Sequence, residues 1–193
     1  MKSKLVRVIT FVSLGTIAGQ AGNAQVKVAS WLDESKPASW NELGRSIPAA
    51  PRVQGPIDSR CQELARPAEW EEDRRVRDQG WDLDGAYQGG WHILVIRGTA
   101  SYDGMCRPWQ YQAFVFVRGV FAGTLSPEPM NSRTDGALTQ VLLAGENRLT
   151  AEYVRYSAKD PACCPSRRTH VIFEVARDGP GLRPVSATTS SNR

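Results

Sequence analysis

The chain has 193 residues, with 24 basic and 20 acidic side chains and two histidines. Its arginines are spread among acids rather than gathered in runs, which excludes the basic footprint of a nucleic-acid-binding protein. No glycine-rich phosphate loop is present either, so nucleotide chemistry has no cradle here.

Lys2, Lys4 and Arg7 precede an apolar run over 8–18, and Gly22-Asn23-Ala24 follows with small residues. A basic end, a short apolar core and a small-residue exit predict a secretory signal over 1–24, with the mature chain starting near Gln25. The run falls short of the roughly 20 apolar residues that cross a bilayer, so no transmembrane anchor is expected. No cysteine stands near the cleavage point, so no lipid attachment site is expected either. Cleavage removes three basic side chains and leaves 21 against 20 acidic ones, a net charge of +1.

Residues 25–60 are punctuated by Pro37, Pro48, Pro51 and Pro56 and carry few aliphatics. They read as an extended lead-in, with Trp31, Leu32, Trp40 and Leu43 as groups that would dock on a neighbour. The stretch 67–79 is the one helix candidate: Pro67 suits a first turn and Gly80 suits the stop. Acids lead (Glu69, Glu71, Glu72) and arginines follow (Arg74, Arg75, Arg77), as the helix dipole favours. Glu71 with Arg75 and Asp73 with Arg77 are spaced to pair. Trp70 is the side chain expected to pin this surface helix.

The strongest local signal runs from Trp109 to Leu125. Two strand-like runs flank Arg118-Gly119, a two-residue X-Gly connection typical of hairpins. Tyr111, Ala113, Val115 and Val117 share one face, and Phe114 and Phe116 the other. Both faces are apolar near the turn, so this strand should be central and covered on both sides. Further strands are predicted over 91–97, 138–144, 149–156 and 169–175, the middle two joined by Gly145-Glu146-Asn147. His92 and His170 fall inside predicted strands. The outcome is a mainly β fold, α+β at the margin: a six-stranded antiparallel meander or small sandwich with one N-terminal surface helix. The disulfide-braced β domain spans 61–176. By composition 177–193, with Gly-Pro-Gly and then Ser-Ala-Thr-Thr-Ser-Ser-Asn, reads as a disordered tail.

An up-and-down order places the connections 98–108, 126–137 and 157–168 at one end and the tight turns at the other. Long polar loops on one end of a rigid sheet are where function usually sits. The candidate contacts there are Tyr102, Asp103, Arg107, Glu128, Asn131, Arg133, Asp135 and Arg167; arginines beside carboxylates suit anions or polar polymers. Three segments in these loops, Gly-Thr…Tyr-Asp-Gly-Met-Cys, Gly-Thr-Leu-Ser-Pro-Glu-Pro-Met and Asp-Pro-Ala-Cys-Cys-Pro-Ser, carry a family likeness. Over roughly 90–176 the chain resembles the LppP/LprE lipoprotein family of bacterial envelope proteins. The resemblance implies an exported, mostly β domain and brings no catalytic residues with it. The missing lipid-attachment cysteine is a departure from that family.

Four cysteines, Cys61, Cys106, Cys163 and Cys164, sit in a chain bound for an oxidising compartment, which predicts disulfides. They lack the Cys-x-x-Cys spacing of a zinc site. Adjacent cysteines have Cα atoms about 3.8 Å apart across a trans peptide, below the roughly 4.4–6.8 Å of ordinary disulfides. Neighbours in an extended segment also point opposite ways. The expected pattern therefore bonds Cys61 and Cys106 each to one member of the pair. A Cys163–Cys164 bond is the alternative, and it would be redox-labile.

Asp82-Leu83-Asp84-Gly85 lacks the glycine and glutamate of a calcium loop and reads as a turn. Ser126, Ser132 and Ser166 lack the elbow pattern of a hydrolase nucleophile. No metal or cofactor is expected. The reading is an exported, periplasmic or secreted, non-catalytic binding or structural domain that meets an envelope or extracellular ligand through its loop end. The alternative is a periplasmic enzyme, a hydrolase or a thiol–disulfide catalyst at Cys163 and Cys164.

Overall fold

Phe114, Phe116 and Val115 have no solvent exposure, and the side chains flanking Arg118-Gly119 alternate as the sequence predicts. Arg118 (φ 51°) and Gly119 (φ 77°) are both left-handed, the geometry that lets a two-residue turn match strand twist. The computed structural model describes residues 30–53, 59–86, 88–177 and 179–192. The expected signal at 1–24, with its cleavage point, lies outside the described residues. In chain order come a 3-10 turn at Trp31–Asp33, α1 Ser59–Gln62, α2 Glu71–Arg77, β1 Asp82–Leu83, β2 Gln88–Gly90, β3 Ile93–Tyr102, β4 Pro108–Val117, β5 Val120–Thr124, β6 Ala137–Leu143, β7 Arg148–Arg155, β8 Arg167–Val175 and β9 Leu182–Ser191.

Two antiparallel sheets result, ordered β1-β3-β4-β5 (with β2 also on β3) and β6-β7-β8-β9. Tyr111, Ala113, Val115 and Val117 face the second sheet and meet Leu149, Tyr153, Val171 and Phe173 in the main core. Phe114 and Phe116 face away, into a second cluster with Ile47, Val76, Trp81 and Phe121. β4 is thus covered on both faces. Tyrosine hydroxyls bolt the sheets together. The Tyr111 hydroxyl donates to the Gly136 carbonyl (2.6 Å) and accepts from the Leu138 N–H (3.0 Å), and Tyr153 donates to the Leu125 carbonyl (2.7 Å).

The strand set is larger than predicted, nine among the described residues rather than six. β3 starts later, leaving Trp91 and His92 in the preceding turn with Trp91 70% exposed. It also runs on through Gly98. A Cβ there would lie 2.9 Å from the Cβ of Trp81, so this glycine marks a close approach rather than a loop.

The disordered-tail expectation is corrected over Leu182–Ser191: β9 pairs with β8 through nine residues, from Leu182 opposite Val175 to Ser191 opposite Arg167. Only Leu182, Pro184 and Ala187 turn inward, so the composition is that of a polar edge strand and not of a disordered segment. The lead-in is extended but docked. Trp31, Leu32 and Trp40 pack on the main core, while Leu43 stays exposed. Asn41 both accepts from the Thr124 N–H (2.9 Å) and donates to its carbonyl (3.0 Å), standing in for a neighbouring strand at the β5 edge. The helix is shorter than 67–79, and the buried Val76, not the half-exposed Trp70, anchors it. Its anticipated i,i+4 pairs are replaced. Asp73 binds Arg66, Arg74 meets Glu71, and Arg75 donates to the Gly119 carbonyl.

Candidate functional site

The three long connections do gather at one end, and their polar side chains are spent mostly on one another. Asp103 accepts from the N–H groups of Met105 and Arg107 (2.9 Å each) and from the Arg107 guanidinium (2.6 Å). Burial would raise its pKa, but these bonds outweigh burial and hold the carboxyl below the usual range. Asn131 accepts from the Gln110 N–H, and its own N–H donates to Asp135 (2.7 Å). Arg133 lies over the Tyr156 ring, 3.9 Å from its centroid.

Arg107 reaches across to the Ala162 carbonyl (3.4 Å), which also accepts from the Tyr156 hydroxyl (2.9 Å). Arg167 lies 3.6 Å from Asp33. Tyr102 keeps a buried hydroxyl with no partner among the described residues, and burial together with Asp84 and Asp82 pushes its pKa up to about 12.

Between the lead-in, the 125–136 connection and β7–β8 lies a hollow of about 500 Å3. Of the eight candidates, Glu128, Asp135 and Arg167 line it; the others brace its walls or, like Tyr102, sit within the sheet edge. Arg155 forks onto Asp33 (2.7 and 3.0 Å), while Arg167 stands 3.6 Å from the same carboxylate and keeps a buried Nε with no hydrogen-bond partner among the described residues. Glu34 and Glu128 are exposed on the rim with no partner among the described residues. Arg155 is thus spent on Asp33, and the exposed groups of the rim, Glu34 and Glu128, offer acceptors.

At the opposite end a hollow of about 480 Å3 is bordered by Arg118, Arg177, His92 and Glu146. Carboxylates outnumber arginines around the loop-end hollow (Asp33, Glu34, Glu128 and Asp135 with Arg155 and Arg167), whereas Arg118 and Arg177 face Glu146 alone at this one.

Sequence reasoning missed Asp33, Arg155, Tyr156 and Asp160. Asp33 and Arg155 are 122 residues apart, with no local pattern to join them. Asp160 had a local signal. It accepts from the N–H and hydroxyl of Ser157 and from the Ser166 N–H, and it pins both ends of the cysteine loop. Those bonds hold its carboxyl well below the usual range.

The disulfides overturn the cross-braced pattern: Cys61 bonds Cys106, and Cys163 bonds Cys164. The reason is reach. Ser59–Gln62 sets Cys61 in the core beside the 103–107 turn, with Cα atoms 5.0 Å apart and Cys106 in a left-handed conformation. The 163–164 pair lies exposed on a separate turn.

Asp82–Leu83 is strand rather than turn, while Asp84 bridges Ala65 and pairs with Arg97 (2.6 Å). Ser126 and Ser132 are buried, and the Ser166 hydroxyl meets Ser157. Among the described residues no serine hydroxyl bonds a histidine; His170 sits 3.7 Å from Glu152. Nor do three histidine, cysteine, aspartate or glutamate side chains converge as metal ligands there.

Residues 91–178 match the model of the LppP/LprE lipoprotein family. This is the family that the three loop segments resemble. The LppP/LprE match runs from the turn before β3 through β8, so it takes in the hairpin, all three long connections and the Cys163–Cys164 turn. Cys61, α1, α2 and β9 lie outside it, so one disulfide joins the LppP/LprE-like region to the segment before it. No curated protein and no solved structure matches the chain.

Proposed function

We propose that this protein is an exported, non-catalytic binding or structural domain of the cell envelope or periplasm that meets its ligand through the loop end. The observation that carries the reading is the bracing of that end: Asp103, Arg107, Asn131, Asp135 and Asp160 fix the loops and leave a preformed hollow. A binder gains from such preorganisation because little ordering remains for the ligand to drive. Export is supported by the family match and by the signal-like 1–24 segment. With Glu34 and Glu128 as the unengaged rim groups, the fitting ligand is rich in hydrogen-bond donors, such as a polyhydroxyl or amine-bearing polymer.

The test places a photo-crosslinking amino acid at the exposed Thr134 of the exported protein, with a second variant carrying it at Arg118 on the opposite end. A discrete envelope adduct from position 134, lost on Glu128→Arg, is expected. Adducts from position 118 alone would move the binding surface to the other end. Turnover of ester, amide or glycoside substrates by purified protein would replace binding by catalysis.

A further inference from the structure

Cys163–Cys164 is out of keeping with the other disulfide. Cys61–Cys106 ties segments 45 residues apart and is buried at Cys61. A bond between sequence neighbours closes no chain loop, so it removes almost no freedom from the unfolded state and adds little stability by that route. Its two residues are exposed, and the peptide between them holds their Cα atoms 3.8 Å apart, below the usual disulfide range.

The turn is also wired to its surroundings. The Ala162 carbonyl, one residue before the pair, receives both Arg107 and Tyr156. The Cys164 N–H donates to the Pro161 carbonyl (3.1 Å), and Ser166 is held by Asp160 (2.9 Å). Tyr156 and Arg167, on either side of this turn, both line the loop-end hollow.

We propose that Cys163–Cys164 is a reversible thiol–disulfide exchange site, opened by a dithiol reductant of the exported compartment, and that opening it loosens the 156–166 turn that walls the hollow. A thiolate of the reductant attacks one sulfur, the Sγ–Sγ bond breaks, and a mixed disulfide forms. The second thiolate of the reductant then displaces the cysteine. Two electrons and two protons end on Cys163 and Cys164 as thiols, and the reductant closes as its own disulfide. Without the bond the two side chains are free to point apart, as neighbours in an extended segment do, and the Ala162 carbonyl loses its fixed place. What the hollow binds does not enter this inference.

The test treats the folded, oxidised protein with dithiothreitol, quenches with an alkylating reagent and maps the labels. Cys163 and Cys164 should label at least about 10-fold faster than Cys61 and Cys106. Amide exchange at Ser157, Cys164 and Ser166 should rise by about 10-fold or more on reduction, fall back on reoxidation, and be raised in a Cys163→Ser, Cys164→Ser variant. Amides within β8 should not change. Equal or slower labelling of the adjacent pair would overturn the exchange site, and reduction that leaves those three amides unchanged would overturn the loosening.

Discussion

Asp73 is wholly buried and accepts four hydrogen bonds, two from the Arg66 guanidinium (2.6 and 2.7 Å) and two from the N–H groups of Glu69 and Trp70. Burial alone would raise its pKa, yet the bonds from Arg66, Glu69 and Trp70 prevail and the carboxyl is lowered. Asp103, and Glu174 between Arg183 and Arg148, move the same way. A lowered folded pKa means that the unfolded chain binds the proton more readily. The stabilisation is therefore complete above the ordinary carboxylate range, near pH 4, and is lost as pH falls through the folded values. Asp73→Asn should cost about 2–4 kcal/mol at pH 7 by leaving Arg66 without its charge partner. In urea titrations the gap to the parent protein should narrow as pH falls below about 4; a gap independent of pH would contradict this. Sequence spacing favoured Arg77 as the partner of Asp73. The helix turns Asp73 inward beside Val76 and leaves Arg77 exposed, a rotation that one buried valine decides and spacing alone does not.

Two elements cover sheet edges, and sequence read one as an extended, docking lead-in without its edge contact and the other wrongly as a disordered tail. Asn41 seals β5 through Thr124, and Gly123 (φ 143°) lies directly beneath it, where a Cβ would overlap the Asn41 side chain. Gly123→Ala combines that overlap with a backbone conformation that L residues avoid and should cost about 2–4 kcal/mol in a denaturant titration. A cost below about 0.5 kcal/mol would mean that the lead-in is not seated there. At the other margin, deleting 182–193 removes Leu182, Pro184 and Ala187 and bares the β8 edge. The truncated protein should lose cooperative unfolding or aggregate, as read by circular dichroism and size exclusion; unchanged stability would restore the disordered tail. A lead-in with few aliphatics and a Ser/Thr-rich tail carry too little apolar periodicity to be read from sequence. Each is held by a few inward side chains and by ladder bonds that exist only once the partner strand is present.

At the scale of the molecule, the face alternation in 109–117 was enough to place the inter-sheet core and the outer cluster on their correct sides, because both periods are local. Disulfide pairing was not legible, since it depends on where Cys61 lands after a turn and a short helix. The two bonds should differ in weight. Removing Cys61–Cys106, which spans 45 residues, should cost about 4 kcal/mol in the chain-entropy model, and removing Cys163–Cys164 less than about 1 kcal/mol. Paired serine variants in guanidinium titrations check this, and equal losses would refute it.

The long loops were correctly placed at one end, but the bracing contacts that join them, Arg107 to Ala162 and Arg133 to Tyr156, were not visible, because they need separate loops in register. That bracing is what makes the loop end a preformed surface, and native-state amide exchange measures it directly. In the oxidised protein the N–H groups of Arg107, Gln110 and Asn131, each bonded to a side-chain oxygen, should be protected by about 100-fold or more. Exchange of these three amides at the rate of an unstructured chain would show loops that order only on binding, and would contradict the preformed hollow.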